Sequence, residues 1–214
     1  MSDMPLYLFA KAPEPGKVKT RMTPQLSAQN AAWLAAMMLR QSFLKCCRHW
    51  PGRVVLTISG DLNHTVFNTL LAENYADTSL QIHGNLGKRM AYVLQAGIEQ
   101  AGAAVVMGCD VPHFPTHILG QVFTSLSQGR PIVGPAQDGG FYLLGLTTMP
   151  EALFDHIKWG GAEVLSALKH NAQALDIDLI ETHPLRDIDH FEDLQWLWET
   201  DPQYRIFAPD GHSK

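Results

Sequence analysis

Segments rich in apolar residues alternate along this chain with longer segments of helical periodicity. The apolar runs predict strands at residues 6–9, 54–58, 80–83, 103–108, 131–135, 141–146 and 175–181. Apolar positions at helical spacing predict helical segments at about 27–48, 63–75, 86–100, 115–127, 150–157 and 162–171, and a Trp-rich helix after residue 190. Strands and helices that alternate at short spacing predict an α/β fold, a three-layer α/β/α sandwich around a mostly parallel sheet.

One turn signal predicts that the sheet is mixed. Asp138, Gly139 and Gly140 stand between two apolar runs, which is a strong hairpin signal. At least one strand should therefore run antiparallel. The same signal leaves the role of Asp138 open, because a turn residue and a binding residue are equally good interpretations of it.

Length and composition predict one ordinary globular domain. The chain has 214 residues, of which 46% are hydrophobic, so a substantial core can form over residues 1–214, with residues 201–214 expected as a loosely packed tail. Cys46, Cys47 and Cys109 lack metal-ligand spacing, and the adjacent pair suits a disulfide poorly, so we expect reduced thiols in a cytoplasm. We expect neither a membrane span nor secretion, because no apolar run reaches about 18 residues and no signal-peptide pattern is present.

The charge is unevenly distributed. Residues 1–60 carry eight Lys/Arg and two Asp/Glu, whereas residues 61–214 carry eight and nineteen. A pI near 6.0 argues against binding to a nucleic-acid backbone, which normally requires an extended basic face. A basic beginning that faces an acidic remainder fits a small anionic ligand, with a divalent cation between the two.

The basic charge is concentrated in the loop that follows the first predicted strand. Lys11, Lys17, Lys19 and Arg21 face one acid there, Glu14, while two prolines and a glycine prevent regular structure. Such a loop is often only a solvated surface. Its position favours phosphate binding instead, because open α/β sheets bind ligands beyond the carboxyl ends of their strands.

Three further positions allow a functional and a structural interpretation. Gly84 and Gly87 flank a short loop that would let a ligand approach the backbone, or would simply connect a strand to a helix. Asp110 follows a buried strand at the carboxyl edge of the sheet, where it could bind a ligand or cap the next turn. Asp189 precedes a helix with capping-box spacing to Glu192, which explains it without chemistry.

Five motifs in this order resemble the DUF2064-type family of bacterial proteins, a member of the nucleotide-diphospho-sugar transferase superfamily with the GT-A fold. The resemblance covers about residues 5–197, and the first and fourth motifs are long enough to be specific. The motifs are FAKAPEPGKVKTRM (9–22), GKRM (87–90), GCDVP (108–112), GPAQDGGFYLLG (134–145), and RDID with EDL (186–189 and 192–194).

The resemblance implies a site as well as a fold. Relatives by fold include guanylyltransferases of the molybdenum cofactor, phospholactate guanylyltransferases and cytidylyltransferases of lipopolysaccharide synthesis, in which the first loop carries a triphosphate and an aspartate holds magnesium. Carried over, this implies catalytic roles for Lys17, Arg21 and Asp110, and Mg²⁺ or Mn²⁺ bound by Asp110 and Asp189. The remaining implied contacts are Lys11, Ala12, Gly16, Lys19, Gly84, Asn85 and Gly87 for the nucleotide, and Asp138, Gly139 and Gly140 for the acceptor.

The sequence departs from the family pattern at positions that bear on the identity of the acceptor and on activity. Lys88, Cys109, His113, His190 and the pair Gly160 and Gly161 stand where the family usually has other residues. No general base is evident, and His113 is a candidate by position alone, with a lone surface histidine as the plainer interpretation.

The sequence therefore supports three hypotheses. The first is nucleotidyl transfer from a nucleoside triphosphate to a small phosphorylated or hydroxylated acceptor. The second is glycosyl transfer from a nucleotide-sugar, and the third is nucleotide binding without turnover. The sequence decides neither the base, nor the acceptor, nor the oligomeric state.

Overall fold

The structure is a computed structural model that describes residues 3–23, 25–74 and 76–207. Its strands are β1 Pro5–Lys11, β2 Arg53–Ser59, β3 Asp77–Leu80, β4 Ala104–Gly108, β5 Ile132–Pro135, β6 Phe141–Leu146 and β7 Ile180–Glu181. Its α-helices are α1 Ala28–His49, α2 Thr65–Glu73, α3 Leu86–Ala101, α4 His117–Ser127, α5 Val164–Ala174 and α6 Phe191–Thr200. Short 3-10 helices cover Thr20–Met22, Glu151–Phe154 and Pro202–Phe207.

The described strands form one seven-stranded sheet in the order β3-β2-β1-β4-β6-β5-β7. β1 pairs in parallel with β2 on one side and with β4 on the other. β6 is antiparallel to both β4 and β5, so the sheet is mixed, and the hairpin predicted around Asp138 is confirmed. The chain moves outward from β1 in one direction to β2 and β3, and then returns to place β4 on the opposite side. A crevice at the carboxyl ends of β1 and β4 is therefore a topological switch point.

Helices cover both faces of the sheet, because its central strands are apolar on both sides. Leu6 and Leu8 of β1 pack in a cluster with residues of α1, α2 and α4. Tyr7, which points the other way, packs in a second cluster with residues of α3 and α5. The predicted three-layer α/β/α fold is confirmed. None of the helices that the described part of the chain forms is long and apolar enough to cross a membrane.

A third hydrophobic cluster lies outside the first helical layer. It joins the outer face of α1 to α6 and to the 3-10 helix Pro202–Phe207. Tyr204 is fully buried in it and Phe207 nearly so. The prediction of a loose tail is therefore wrong for residues 202–207, since two aromatic side chains anchor this segment; residues 208–214 lie outside the described residues.

Three other predictions were wrong in detail. The edge strand predicted at 80–83 is β3 at Asp77–Leu80, and the side-chain amide of Gln81 just after it donates to the backbone carbonyls of Ala10 and Thr57. The strand predicted at 175–181 is reduced to β7 at Ile180–Glu181, because the backbone N–H groups of residues 175–177 donate to carbonyl oxygens at the C-terminus of α5. The helical segment predicted at 150–157 is the single 3-10 turn Glu151–Phe154. The helix predicted to reach Tyr75 is α2, and Tyr75 itself lies outside the described residues.

Candidate functional site

The loop after β1 is held in place by its own backbone and by one buried side chain. Gly16 and Lys19 both have positive φ angles, of 76° and 47°, so the chain turns twice before the 3-10 helix Thr20–Met22. A left-handed conformation is unusual for lysine and marks a place where surrounding contacts fix the backbone. Met22 supplies such a contact, because its side chain is fully buried in the third cluster.

Ile188 places the last part of the chain beside the loop after β1. Its side chain is fully buried in the cluster that contains Met22. Its backbone N–H donates to the carbonyl oxygen of Asp110 at 2.9 Å, which ties the loop before α6 to the loop after β4. Asp189 follows immediately, so its side chain is delivered to the carboxyl edge of the sheet.

The Asp189 side chain does not cap α6. The carboxylate of Asp193 accepts from the backbone N–H groups of Asp189 and His190, at 3.2 and 2.7 Å. The capping box is therefore shifted by one residue from the predicted pair of Asp189 and Glu192, and that prediction was wrong. The Asp189 carboxylate is left to interact with cations.

Cations and acids converge around Lys19. Its Nζ donates to Asp110 Oδ1 and to the carbonyl oxygen of Ile188, both at 2.6 Å, and lies 3.9 Å from Asp189 Oδ1. Arg21 Nη1 contacts the other oxygen of Asp189 at 2.5 Å. Groups from the beginning, middle and end of the chain thus meet in one place.

Lys19 is buried, whereas its partners are partly open. The Lys19 side chain is 6% exposed and that of Asp110 is 56% exposed. Burial lowers the pKa of the Lys19 ammonium, but the charge and hydrogen bond of Asp110, followed by the charge of Asp189, outweigh it and leave the pKa raised. Lys19 is therefore a permanent cation between two carboxylates at neutral pH.

The other two lysines of the loop make looser contacts. Lys11 Nζ donates to the carbonyl oxygen of Lys17 at 2.7 Å. Lys17 pairs with Glu14 at 2.6 Å, and 62% of its side chain is exposed. An exposed pair of this kind is weak and easily exchanged for another anion.

These groups line a cavity of about 510 Å³ at the carboxyl ends of β1 and β4. Of the residues implied by the family resemblance, those that line it are Lys11, Lys17, Lys19, Asp110, Asp138, Gly140 and Asp189. Arg21 reaches the same place through its bond to Asp189. The cavity also contains an aromatic wall, made by Phe141 and Trp159, whose rings meet edge to face at 6.4 Å.

The glycine-bordered loop before α3 has an internal structural role. Asn85 caps α3, with its Oδ1 accepting from the Lys88 N–H at 2.9 Å, and the Gly84 carbonyl accepts from Arg89 Nε at 2.9 Å. Gly87 lies against Trp159, where an added Cβ would stand 2.6 Å from a ring carbon. Whether Gly84, Asn85 and Gly87 also contact a nucleotide stays a prediction.

The hairpin turn uses Asp138 as a turn residue beside the cavity, and its role in binding stays a prediction. Asp138 Oδ1 accepts from the Gly140 N–H at 2.8 Å, as a turn residue does, while the residue also lines the cavity. Gly139 has a φ of 90° and packs so closely on residue 162 that a Cβ would stand 2.0 Å from its carbonyl oxygen. Gly139 therefore positions the hairpin against α5.

Sequence reasoning missed Asp187 and Trp159, which also line the cavity. Burial raises the pKa of the Asp187 carboxyl, and the nearby charge of Asp138 raises it further. The RDID motif contains Asp187, but a motif cannot say which of two neighbouring acids points inward. Trp159 precedes Gly160 and Gly161, and that pattern indicates only a break in the chain.

His113 is partly buried. Its Nδ1 is buried and has no hydrogen-bond partner among the described residues, and its ring packs edge to face on Trp196 at 4.8 Å. Burial lowers the pKa of His113 to about 4, with Lys45 and Arg186 contributing. The interpretation as a lone surface histidine was wrong.

The family profile described as "Uncharacterized protein conserved in bacteria (DUF2064)" matches residues 39–161, more than half of the chain. The protein belongs to the DUF2064 family. The membership predicted from the motifs is thereby confirmed. No curated protein matches this DUF2064 chain.

Solved structures place the DUF2064 chain among nucleotide-diphospho-sugar transferase folds. A candidate nucleotide-diphospho-sugar transferase from Desulfovibrio desulfuricans G20 is 26% identical, with a TM-score of 0.85 over 97% of this chain and 92% of that one. Rv0371c of Mycobacterium tuberculosis H37Rv, in complex with manganese, is 17% identical, with a TM-score of 0.52 over 94% and 100%. A CMP:2-keto-3-deoxy-manno-octonic acid synthetase in complex with CTP is 8% identical, with a TM-score of 0.59 over 94% and 99%.

The donor set of the DUF2064 site fits a divalent cation bound mainly through a substrate. Within the described ranges, no group of three or more His, Cys, Asp or Glu side chains is placed to hold a metal ion. Asp110 and Asp189 are two hard oxygen donors, and both lie within 4 Å of the Lys19 ammonium, at 2.6 and 3.9 Å. Mg²⁺ is commonly held by one or two carboxylates together with substrate phosphates.

Proposed function

We propose that the protein is a metal-dependent nucleotidyltransferase that moves a nucleotidyl group from a nucleoside triphosphate to a small acceptor. The observation that carries this proposal is the convergence of Lys19 and Arg21 with Asp110 and Asp189 beside one cavity. Several cations supply the charge that a triphosphate needs, and the two acids supply the ligands that its metal needs. The solved structures with CTP and with manganese belong to other proteins, and they support the same class of chemistry.

The residues would act by placement and charge. An acceptor oxygen attacks the α-phosphorus in line, a new P–O bond forms as the bond to the bridging oxygen of the β-phosphate breaks, pyrophosphate leaves, and a hydroxyl acceptor gives up its proton to water. Arg21 and the loop lysines would bind the phosphate oxygens, with the guanidinium able to hold two oxygens at once. A divalent cation bound by Asp110 and Asp189 would neutralise charge on those oxygens.

The acidic and aromatic part of the cavity lining favours a hydroxylated acceptor over a phosphorylated one. Asp138 and Asp187 line the cavity together with Trp159 and Phe141, while the cations that line it in the described structure all come from the end of β1 and the loop that follows. Carboxylates accept hydrogen bonds from hydroxyl groups and repel phosphate. An aromatic wall with a few polar groups is typical of a small-molecule site.

Thermal unfolding with nucleotides tests the proposal directly. With Mg²⁺ or Mn²⁺, at least one nucleoside triphosphate should raise the unfolding temperature, because a ligand that binds the folded state stabilises it. The effect should require metal and should vanish in Asp110→Asn. Asp77→Asn is the matched control, since Asp77 pairs with Arg53 away from the cavity. Stabilisation that survives in Asp110→Asn would overturn the assignment of the site.

Glycosyl transfer is the second candidate, and one observation favours it. The 26% identical protein from Desulfovibrio desulfuricans G20 carries a nucleotide-diphospho-sugar transferase description. Assays with the same acceptors distinguish the two reactions, because nucleotidyl transfer releases pyrophosphate and glycosyl transfer releases a nucleoside phosphate. Acceptors should be offered as matched pairs, each with and without a phosphate group.

A further inference from the structure

We propose that Lys19 is an internal counter-ion which holds Asp110 and Asp189 together until a divalent cation complexed with a nucleotide replaces it. The inference goes beyond the proposed function in predicting the order of binding. It rests on the proposed function only in assigning these carboxylates to a metal.

The Lys19 ammonium contacts one carboxylate of the proposed metal site and lies close to the other. Its Nζ is 2.6 Å from Asp110 Oδ1 and 3.9 Å from Asp189 Oδ1, so its charge lies between the two acids, while Arg21 binds the other oxygen of Asp189. The side chain is only 6% exposed, so water screens its charge poorly. A divalent cation at the same carboxylates would meet strong repulsion while the ammonium stays.

The displaced ammonium must also find a new anion. It now bonds to Asp110 and to the Ile188 carbonyl oxygen, and a buried charge without partners is costly. A metal ion without a nucleotide brings no anion to which the Lys19 ammonium could bond. A metal–triphosphate complex brings phosphate oxygens to the same place, so Lys19 can move to the phosphates as the carboxylates receive the cation.

The fixed backbone of Lys19 suits such a movement. Its φ of 47° and ψ of 36° hold the residue in a left-handed turn between Val18 and the 3-10 helix Thr20–Met22, with Met22 anchored in the core. Only the flexible side chain then needs to move. The loop itself can keep its place while the ammonium passes from carboxylate to phosphate.

Mn²⁺ binding to the full chain, measured by electron paramagnetic resonance with and without a non-hydrolysable triphosphate analogue, tests the inference. Wild-type protein should bind free Mn²⁺ weakly, and the analogue should strengthen Mn²⁺ binding at least about tenfold. Lys19→Met should bind free Mn²⁺ at least about tenfold more tightly than wild type and should lose most of the enhancement by the analogue. Adding Asp110→Asn to Lys19→Met should remove the gain.

Lys45→Met is the matched control. Lys45 is another partly buried lysine, and its Nζ donates to the carbonyl oxygens of Pro112 and Phe114, in the same loop as Asp110. If loosening the loop after β4 were enough to tighten Mn²⁺ binding, Lys45→Met would also bind Mn²⁺ more tightly. We expect Lys45→Met to bind Mn²⁺ with wild-type affinity. Lys19→Gln, which can still donate a hydrogen bond to Asp110, serves if Lys19→Met does not fold.

The outcomes separate this inference from the proposed function. Free Mn²⁺ affinity that is unchanged or weaker in Lys19→Met, or in Lys19→Gln where Lys19→Met does not fold, would overturn the inference, even if the enzyme transfers a nucleotidyl group. Tighter Mn²⁺ binding in a Lys19 variant, reversed by Asp110→Asn, would support it even if no transfer is found. Wild-type protein that binds Mn²⁺ equally well with and without the analogue would also overturn it.

Discussion

Met22 and Ile188 are fully buried in one hydrophobic cluster, and each stands next to a residue of the candidate site. Arg21 precedes Met22, Asp189 follows Ile188, and the two charged side chains meet at 2.5 Å. The cluster between α1 and α6 thus sets the distance between the basic loop and the acid before α6. Hydrophobic packing outside the sheet positions polar groups at its edge.

Met22→Ala should therefore disturb both stability and the site. Removing a fully buried methionine side chain costs about 2–5 kcal/mol of unfolding free energy. Met38→Ala is the control, because Met38 is 1% exposed in the same cluster but belongs to α1. Urea unfolding should give similar losses for both, whereas calorimetry should show weaker metal–nucleotide binding in Met22→Ala alone. Equal metal–nucleotide affinities in Met22→Ala and Met38→Ala would show that Met22 does not position the site.

Neutralising Lys17 and Arg21 together should weaken triphosphate binding at least about tenfold, or about 1.4 kcal/mol. Both side chains are largely exposed beside the cavity, so their removal should cost little stability. The variant Lys17→Gln with Arg21→Gln is measured by calorimetry in the presence of Mg²⁺. Arg53→Gln with Lys169→Gln removes two cations that pair elsewhere and should keep wild-type affinity.

Gly87→Ala should destabilise the fold and displace Trp159. A Cβ at residue 87 would stand 2.6 Å from a ring carbon of Trp159, so the ring or helix α3 must shift, at a cost of about 1–3 kcal/mol. Gly120→Ala in α4 is the opposite case, because a Cβ there meets nothing within 4 Å and alanine should stabilise the helix by about 0.5–1 kcal/mol. Urea unfolding measures both changes, and tryptophan fluorescence reports the environment of the ring.

His113 should make the protein less stable in acid. Burial, with Lys45 and Arg186 nearby, lowers its pKa to about 4 in the fold, against about 6.5 in an unfolded chain. The unfolded state therefore binds the proton more tightly, and stability falls as the pH drops from about 6.5 toward 4. In His113→Phe the loss of unfolding free energy between pH 7 and pH 5 should be smaller by about 1–2 kcal/mol.

His117→Gln is the control for that experiment, since His117 is exposed at the start of α4. Urea unfolding at both pH values should show the wild-type loss in this variant. The same loss in His113→Phe would mean that other groups cause the acid sensitivity.

The sequence by itself determined the sheet, most of the helices, the family and the basic loop. Local patterns carry this information, since apolar runs make buried strands, Ser27 caps α1 through its side chain, and Asp138 with two glycines turns a hairpin. The short elements were misplaced, because β3 and β7 depend on pairing with neighbours more than on their own composition.

Only the tertiary structure decided what each acid near the candidate site contacts. Asp187, Asp189 and Asp193 are equivalent in a local pattern, yet one lines the cavity beside Asp138, one meets Lys19 and Arg21, and one caps α6. Likewise, Lys19 is one of four loop cations in the sequence, and its burial between two carboxylates follows from the packing of Met22 and Ile188. Long-range packing fixes such distances, and no local pattern along the chain contains them.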